Sequence, residues 1–281
     1  MNEPRVYKNS PFVFGLLIVM FVVLFAAVFF AAGDVGFSNL IVMIPFALMF
    51  AFLFIYVVFT ATAQTMISND EISTKNLLGT KSLAWGEINR VSGRGYRIKL
   101  HNLDGDVTVA PSPRLPGYLE VIEWIGVKRP DLFNPQEYGE MSKGWLNTIL
   151  TPIIGLLIIG IGLFAYTQAS DTFLPFLVFI IIGLVFIGMP LFSPQAVAIQ
   201  GNSIVLGYLF NQRTLPADEI VSFDLSYTQT RNGKNYFIAI NLVNRKSIRI
   251  SGLSPNLPVA YLVLKNWHKK NTVIGLTNQQ N

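Results

Sequence analysis

Few side chains in this sequence have the types and spacing needed for covalent chemistry. Its 281 residues include no cysteine, which excludes a thiol nucleophile, a disulfide bond and a thiolate metal site. The two histidines, His101 and His268, lack a second histidine at the H-x-x-x-H or H-E-x-x-H spacing of helical zinc sites. The sequence therefore predicts a protein that is not an enzyme, with no catalytic residue, no metal site and no cofactor.

Lysine and arginine are the remaining candidates, because clustered cations bind anionic partners. Residues 62–129 hold nine cationic against seven acidic side chains, whereas residues 194–281 hold nine against three. Beside an anionic membrane leaflet, each well-placed cation contributes about 1 kcal/mol of attraction. The alternative is the general excess of positive charge on cytoplasmic segments of membrane proteins. The candidate interaction surface comprises Arg94, Arg97, Lys99, Arg231, Lys234, Arg245, Lys246 and Arg249.

Other conspicuous residues are interpreted as structural. GRGYR, residues 93–97, is similar to a phosphate-binding loop, but it joins two predicted strands and opens no helix, so we expect a hairpin tip. Recurring glutamates before an isoleucine suit the acceptance of turn amides better than a functional role, and the tryptophans suit a core. The expected structural markers are Trp85, Glu87, Ile88, Trp124, Glu219, Ile220 and Trp267.

Long apolar runs must position these residues at a membrane. The chain is 52% hydrophobic and 13% charged, with a mean hydropathy of +0.47, which is too apolar for an ordinary soluble domain. A helix of about 20 residues crosses the hydrocarbon layer of a bilayer. Four runs without a charged residue reach that length and predict four transmembrane helices: 11–32, 40–59, 146–166 and 173–193.

Charge at the ends of these runs predicts their orientation. The connectors 33–39 and 167–171 are too short for a domain, so the runs form two helical hairpins. Cations precede the first and third helices, whereas the connectors carry only aspartate, and positive charge marks the cytoplasmic side. The prediction is a multi-pass protein of the plasma or inner membrane with a cytoplasmic N-terminus. The charges concerned are Arg5, Lys8, Lys143, Asp34 and Asp171.

The segments between the apolar runs alternate like half-buried strands. Strands are predicted at YRIKLHN (96–102), DVTVA (106–110), YFIAINLV (236–243) and SIRIS (247–251). An apolar stripe predicts a helix after each group, at 115–127 and 257–270. Each region is therefore predicted to be a small antiparallel β domain closed by one helix.

The two regions also repeat each other. SLAWGEINRV, residues 82–91, recurs in pattern as TLPADEIVSF, residues 214–223, at a distance of 132 positions. A repeat of this length indicates a duplicated domain. The predicted organisation is an N-terminus (1–10), a first transmembrane hairpin (11–61), a β domain (62–133), a linker (134–145), a second hairpin (146–193), a second β domain (194–272) and a tail (273–281).

Short motifs in both copies resemble one protein family. ISNDEIST, LAWGEINRV and the tryptophan-bearing helix of the first copy, with IQGNSIVL, LPADEIVSF and YLVLKNWHKK of the second, resemble the bacterial pleckstrin-homology membrane proteins. The second copy departs from the pattern, with Ala217 at the position of Trp85. The resemblance implies a pleckstrin-like β-barrel or sandwich. It does not imply inositol lipid specificity, because turns 68–71 and 200–203 lack a basic pattern.

Two functional hypotheses follow. The first is a non-enzymatic docking or scaffolding module in the bilayer, whose β domains bind a protein partner or anionic lipid headgroups. The second is a small transporter or channel component gated by the β domains, although the apolar runs offer little polar lining for a water-filled path. Nucleic acid is not an expected partner, because no aromatic ladder interleaves with the basic residues.

Overall fold

The structure, a computed structural model, is a mixed α+β protein with antiparallel sheets, as predicted. The residues that it describes are 4–10, 15, 18–23, 25–26, 40–168, 173–231 and 233–278. Most of the predicted span 11–32, the connector 33–39, parts of the connector 167–171 and Asn232 lie outside this set. The chain divides into two compact units, Met1–Arg90 with Lys99–Val121 and Val91–Ile98 with Ile122–Asn281.

Short strands dominate the first part of the chain. Its strands are β1 Arg5–Lys8, β2 Gln64–Ile67, β3 Glu71–Asn76, β4 Gly79–Ala84, β5 Arg90–Ser92, β6 Lys99–His101 and β7 Thr108–Val109. Its helices are α1 Leu40–Ala61 and α2 Tyr118–Lys128, with a 3₁₀ turn at Trp85–Glu87.

The second part follows the same order with longer elements. Its strands are β8 Glu140–Ser142, β9 Ala196–Gln200, β10 Ser203–Gly207, β11 Gln212–Pro216, β12 Ile220–Thr230, β13 Gly233–Leu242 and β14 Ser247–Ile250. Its helices are α3 Trp145–Gln168, α4 Phe173–Phe192 and α5 Leu257–Asn278, with 3₁₀ turns at Pro130–Phe133 and Ala217–Glu219.

Each unit contains a four-stranded antiparallel sheet with an apolar insertion between two neighbouring strands. In the first sheet, β1 lies before the apolar insertion and pairs with β2 after it, so that Tyr7 faces Thr65. In the second sheet, β8 pairs with β9 in the same way, and Met141 faces Val197. The strands β1 and β8 lie in the segments predicted as N-terminus and linker.

A second antiparallel pairing in each unit differs greatly in length. β6 pairs with β7 through only two residue pairs, Leu100 with Val109 and His101 with Thr108. β12, β13 and β14 form a three-stranded sheet whose first two strands have 11 and 10 residues. The strand predicted from residue 96 begins only at Lys99, because residues 93–97 form a loop that packs on the start of α5.

Alternation along the strands builds a core in each unit. Ile72 and Leu83 face each other across β3 and β4 and are fully buried in the first unit. Their counterparts across β10 and β11, Ile204 and Leu215, are equally buried in the second unit. Burying a side chain of this size contributes about 1.5–3 kcal/mol, so these rows fix the strand register.

Two helices in the described part of the chain are long and apolar enough to cross a membrane, at Thr148–Gln168 and Phe173–Phe192. They match the second predicted hairpin. The prediction of four spans is thus corrected to two among the residues described, since most of 11–32 lies outside them and α1 (Leu40–Ala61) is not one of the two candidates.

Three glycines bring α3 and α4 close together. A Cβ on Gly155 would lie 2.6 Å from the Gly183 carbonyl oxygen, and a Cβ on Gly183 would lie 2.7 Å from the Gly155 carbonyl oxygen. A Cβ on Gly162 would lie 2.5 Å from Phe179 Cβ. Small residues allow such close backbone approach between membrane helices, where dispersion contacts stabilise the pair.

No closed barrel forms among the described residues, which corrects that part of the predicted fold. β1 and β4 each have one partner at the ends of the first four-stranded sheet, and β8 and β11 do so in the second. Closure requires every strand to pair on both sides. The domains therefore contain open sheets.

Candidate basic docking site

A long β-hairpin projects from the three-stranded sheet of the second unit. β12 and β13 stay paired as far as Thr230 and Gly233, with Tyr227 opposite Tyr236. The hydroxyl of Thr230 donates a hydrogen bond of 2.8 Å to the Gly233 carbonyl oxygen and closes the turn. The register thus places Arg231 at the tip and Lys234 beside it.

Loop 93–97 of the same unit is held by glycine geometry and by helix α5. Gly93 has φ 151°, and a Cβ there would lie 1.9 Å from the Arg97 carbonyl oxygen, so no other residue fits. The Leu257 N–H, in the first turn of α5, donates a 3.0 Å hydrogen bond to the Gly95 carbonyl oxygen. The loop therefore presents Arg94 and Arg97 from a fixed backbone.

Tyrosine rings join the loop to the hairpin. The ring centroids of Tyr96 and Tyr236 are 5.3 Å apart, and those of Tyr227 and Tyr236 are 5.7 Å apart. Lys234 Nζ lies 4.7 Å from the centroid of the Tyr227 ring, within the range of a cation–π contact. Tyr236 is buried, whereas Tyr227 is 43% exposed.

The cations around these rings face solvent without acidic neighbours in sequence. Arg94, Arg97 and Arg231 are exposed and Lys234 is half-buried. Segments 91–98 and 226–236 contain no aspartate or glutamate. We define the basic hairpin site as these residues together with the tyrosines: Arg94, Tyr96, Arg97, Tyr227, Arg231, Lys234 and Tyr236.

The other cations of the predicted surface lie elsewhere. Arg245 and Lys246 occupy the turn between β13 and β14, at the opposite end of β13 from Lys234. A ten-residue strand is about 30 Å long, so this turn is separate from the basic hairpin site. In the strand register, Arg249 on β14 lies opposite Ala239 on β13, and Ala239 lies opposite Asp224 on β12. The guanidinium of Arg249 lies 4.9 Å from the centroid of the Phe237 ring. Lys99 is exposed on β6 of the first unit.

Burial of the central tyrosine favours its neutral form. Burial, followed by the nearby Tyr227, raises the pKa of Tyr236 to about 12. The phenol therefore stays protonated at neutral pH and adds no negative charge to the site. The charge of the site comes only from its arginines and its lysine.

The repeat markers make structural contacts within their own units. Trp85 Nε1 donates to the Ser68 carbonyl oxygen at 3.1 Å, and Trp267 Nε1 donates to the Gly201 carbonyl oxygen at 2.9 Å. Both indoles thus hold the turn that follows the second strand of a four-stranded sheet. The second copy has Ala217 at the position that corresponds to Trp85, and Trp267 of helix α5 supplies the equivalent hydrogen bond there.

Glu87 and both histidines also contact backbone or neighbouring side chains, and the markers Ile88 and Ile220 are buried. Glu87 Oε2 accepts a hydrogen bond from the Ala84 N–H at 3.1 Å, while Glu219 is exposed and Trp124 is half-buried. His268 Nε2 lies 2.9 Å from the Ile220 carbonyl oxygen. His101 Nδ1 lies 3.1 Å from Thr108 Oγ1, and burial, then Arg90 and Lys99, lower the pKa of His101. Within the described ranges, no three histidine or acidic side chains form a metal-binding group.

Sequence reasoning predicted the cations of this site but missed its tyrosines. Tyr96, Tyr227 and Tyr236 each lie within a few positions of a cation. This closeness of each tyrosine to a cation is the signal that could have identified them, and it corrects the expectation that no aromatic residues interleave with the basic ones. No protein-family model matches this chain, and no curated protein matches it significantly.

Proposed function

We propose that the chain is a non-enzymatic, membrane-anchored docking protein, and that the basic hairpin site binds the anionic headgroups of a lipid surface. The observation that carries the proposal is the gathering of four cations and three tyrosines on two segments that contain no carboxylate. Lysine and arginine are attracted to anionic headgroups, and tyrosine prefers the membrane–water interface.

Anchoring is supported by helices α3 and α4, which are long and apolar enough to cross a membrane. We include α1 and the preceding apolar run as a second hairpin in this proposal, because α1 is a 22-residue helix without a charged residue. The distribution of Arg5, Lys8 and Lys143 supports a cytoplasmic side for both β regions in a plasma or inner membrane.

We also propose that the two β regions are copies of one pleckstrin-like module, as in the bacterial membrane proteins that they resemble. Three features support this proposal: the shared order of the four-stranded sheets, the matched pairs Tyr7–Thr65 and Met141–Val197, and the helix that follows each group of strands. The extended β12–β13 hairpin would then be a specialisation of the second copy.

The docking proposal is tested with the full chain in nanodiscs of neutral phosphatidylcholine, to which vesicles are added. Binding is compared between neutral vesicles and vesicles that contain one-third phosphatidylserine. The variant Arg94→Gln with Arg97→Gln is expected to bind anionic vesicles about 30-fold more weakly, because two cations near the surface contribute about 2 kcal/mol.

The matched control removes two exposed cations from α5, as Lys269→Gln with Lys270→Gln. It is expected to bind nearly as well as the parent chain. If both double variants lost the same affinity for anionic vesicles, the loss would follow from net charge alone. That result would contradict the proposed binding site. Equal binding to neutral and anionic vesicles, with a reproducible crosslink from the Tyr227 position to one cellular protein, would assign the surface to a protein partner.

A further inference from the structure

Two turns in this protein expose pairs of large apolar side chains. Leu78 is 86% exposed in the turn between β3 and β4, beside Leu77, and Phe210 is 85% exposed in the turn between β10 and β11, beside Leu209. We call these pairs the apolar tips. Turns normally carry Gly, Pro, Asn, Asp or Ser. Because burial of a leucine or phenylalanine contributes about 1.5–3 kcal/mol, the exposed pairs forgo a large stabilisation.

Strand pairing places the first apolar tip at the end of its sheet that adjoins helix α1. β2 begins at Gln64, three positions after α1 ends at Ala61. Gln64 pairs with Lys75, near the end of β3, because β3 runs back antiparallel to β2. The tip at Leu77–Leu78 therefore lies at the end of the sheet where the chain leaves the apolar helix.

The second apolar tip has the same relation to helix α4. Gln195, three positions after the last residue of α4, donates its N–H to the Gly207 carbonyl oxygen at 2.7 Å. Gly207 ends β10, and Tyr208, Leu209 and Phe210 follow in the turn to β11. Since α4 is a candidate membrane span, its sheet carries this tip at the end that adjoins the bilayer.

Charge around the tips suits a lipid surface. Lys75 and Lys81 flank the first tip, and Tyr208 and Arg213 flank the second. Segments 72–86 and 203–217 contain no aspartate or glutamate. An apolar tip surrounded by cations and an interfacial aromatic residue places its side chains below the headgroups and its charges among them.

We propose that both apolar tips insert into the interfacial layer of the bilayer that the helices of this chain cross. The inference rests on the membrane anchoring in the proposed function, but not on lipid binding by the basic hairpin site. Insertion would hold each four-stranded sheet against the membrane at three places: the chain entering the apolar segment, the chain leaving it, and the tip.

The absence of cysteine makes single-cysteine labelling direct. The full chain carrying Leu78→Cys or Phe210→Cys is labelled with an environment-sensitive fluorophore and placed in vesicles with or without doxyl-labelled lipids. Asn69→Cys and Asn202→Cys, in the turns at the opposite end of each sheet, are the matched controls. Leu157→Cys, exposed on α3, reports insertion of the helices themselves.

Insertion predicts that labels at both tips emit at shorter wavelength than the controls and lose most of their emission to doxyl lipids. Tip labels that match the controls, while the Leu157 label is quenched, would overturn the inference and leave the anchoring intact. A tip label shielded from water but not quenched by doxyl lipids would overturn it in favour of a protein contact. An unquenched Leu157 label would overturn the anchoring and the inference together.

Discussion

Single side chains explain how the basic hairpin site remains cationic and ordered. Tyr236 is the centre of that order, because it contacts both Tyr96 of the loop and Tyr227 of the hairpin. Its ring is buried while its neighbours reach solvent, so the loop and the hairpin share one small core. Substitution of Tyr236 should therefore reduce the stability of the fold and leave the charge of the site unchanged.

Alkaline pH should destabilise the fold through Tyr236. Its folded pKa of about 12 is above the ordinary value of 10, so the unfolded chain loses the proton first as pH rises. The contribution is fully present below pH 10 and decreases between pH 10 and 12. Unfolding in detergent at pH 9 and pH 11 should show a smaller pH dependence for Tyr236→Phe than for the parent chain. Equal dependence in both proteins would contradict this role.

Loop 93–97 depends on a glycine at one position. Gly93→Ala would put a Cβ against the Arg97 carbonyl oxygen at a positive φ, and we expect a cost of about 1–3 kcal/mol with loss of vesicle binding. Gly86→Ala is the control, because a Cβ added at that position would meet nothing within 4 Å. Thermal unfolding and vesicle binding measure both effects. A Gly93→Ala protein that binds like the parent chain would show that the loop does not position its arginines.

Among the elements, helices α3 and α4 show how glycine determines packing in an apolar pair. Gly155 and Gly183 face each other across the hairpin, and each would bring a Cβ within 3 Å of the other's carbonyl oxygen. Gly160 on the same helix has open space and lies in an apolar groove between Leu157 and Phe164. Position along the helix, and not residue type, thus decides the cost of substitution.

Gly155→Ala or Gly183→Ala should loosen this hairpin, whereas Gly160→Ala should not. Overpacking typically costs about 1–3 kcal/mol, because the backbones must move apart to admit the methyl group. Unfolding of the full chain in increasing denaturing detergent measures the difference. A Gly160→Ala protein as unstable as Gly155→Ala would indicate that helix propensity, and not the contact between helices, controls stability.

The pairs β1–β2 and β8–β9 impose a further constraint on the apolar segments. Because the strands before and after each segment are neighbours in one sheet, each segment must begin and end at the same place. For a membrane-spanning segment, an even number of crossings satisfies this condition. A helical hairpin is the shortest solution, in agreement with α3 and α4.

If the chain is anchored in a membrane as proposed, the same constraint predicts that each β region lies on one side only. With the charge pattern of Arg5, Lys8 and Lys143, that side should be cytoplasmic for both. In cells, Asp104→Cys and Asn244→Cys, both exposed in turns, should react with an impermeant maleimide only after the membrane is opened. Reaction of one position in intact cells would contradict the shared orientation and the proposed anchoring.

Local sequence patterns predicted several of the helices and strands of this protein, but not which elements pair over long distances in the chain. The apolar runs at 146–166 and 173–193, the alternation in YFIAINLV and the stripe of 257–270 predicted α3, α4, β13 and α5, because length and periodicity are properties of neighbouring residues. The clustering of basic residues in the second half was equally visible, since charge can be counted.

Only the tertiary structure decided which of these pieces meet. It paired β1 with β2 across residues 9–63, joined Tyr96 to Tyr236, and separated Arg245 and Lys246 from the cations at the hairpin tip. It also left Leu78 and Phe210 exposed at the ends of their sheets that adjoin apolar helices. Such contacts join residues far apart in the chain, and their free energy depends on burial and register, which the periodicity of one segment does not contain.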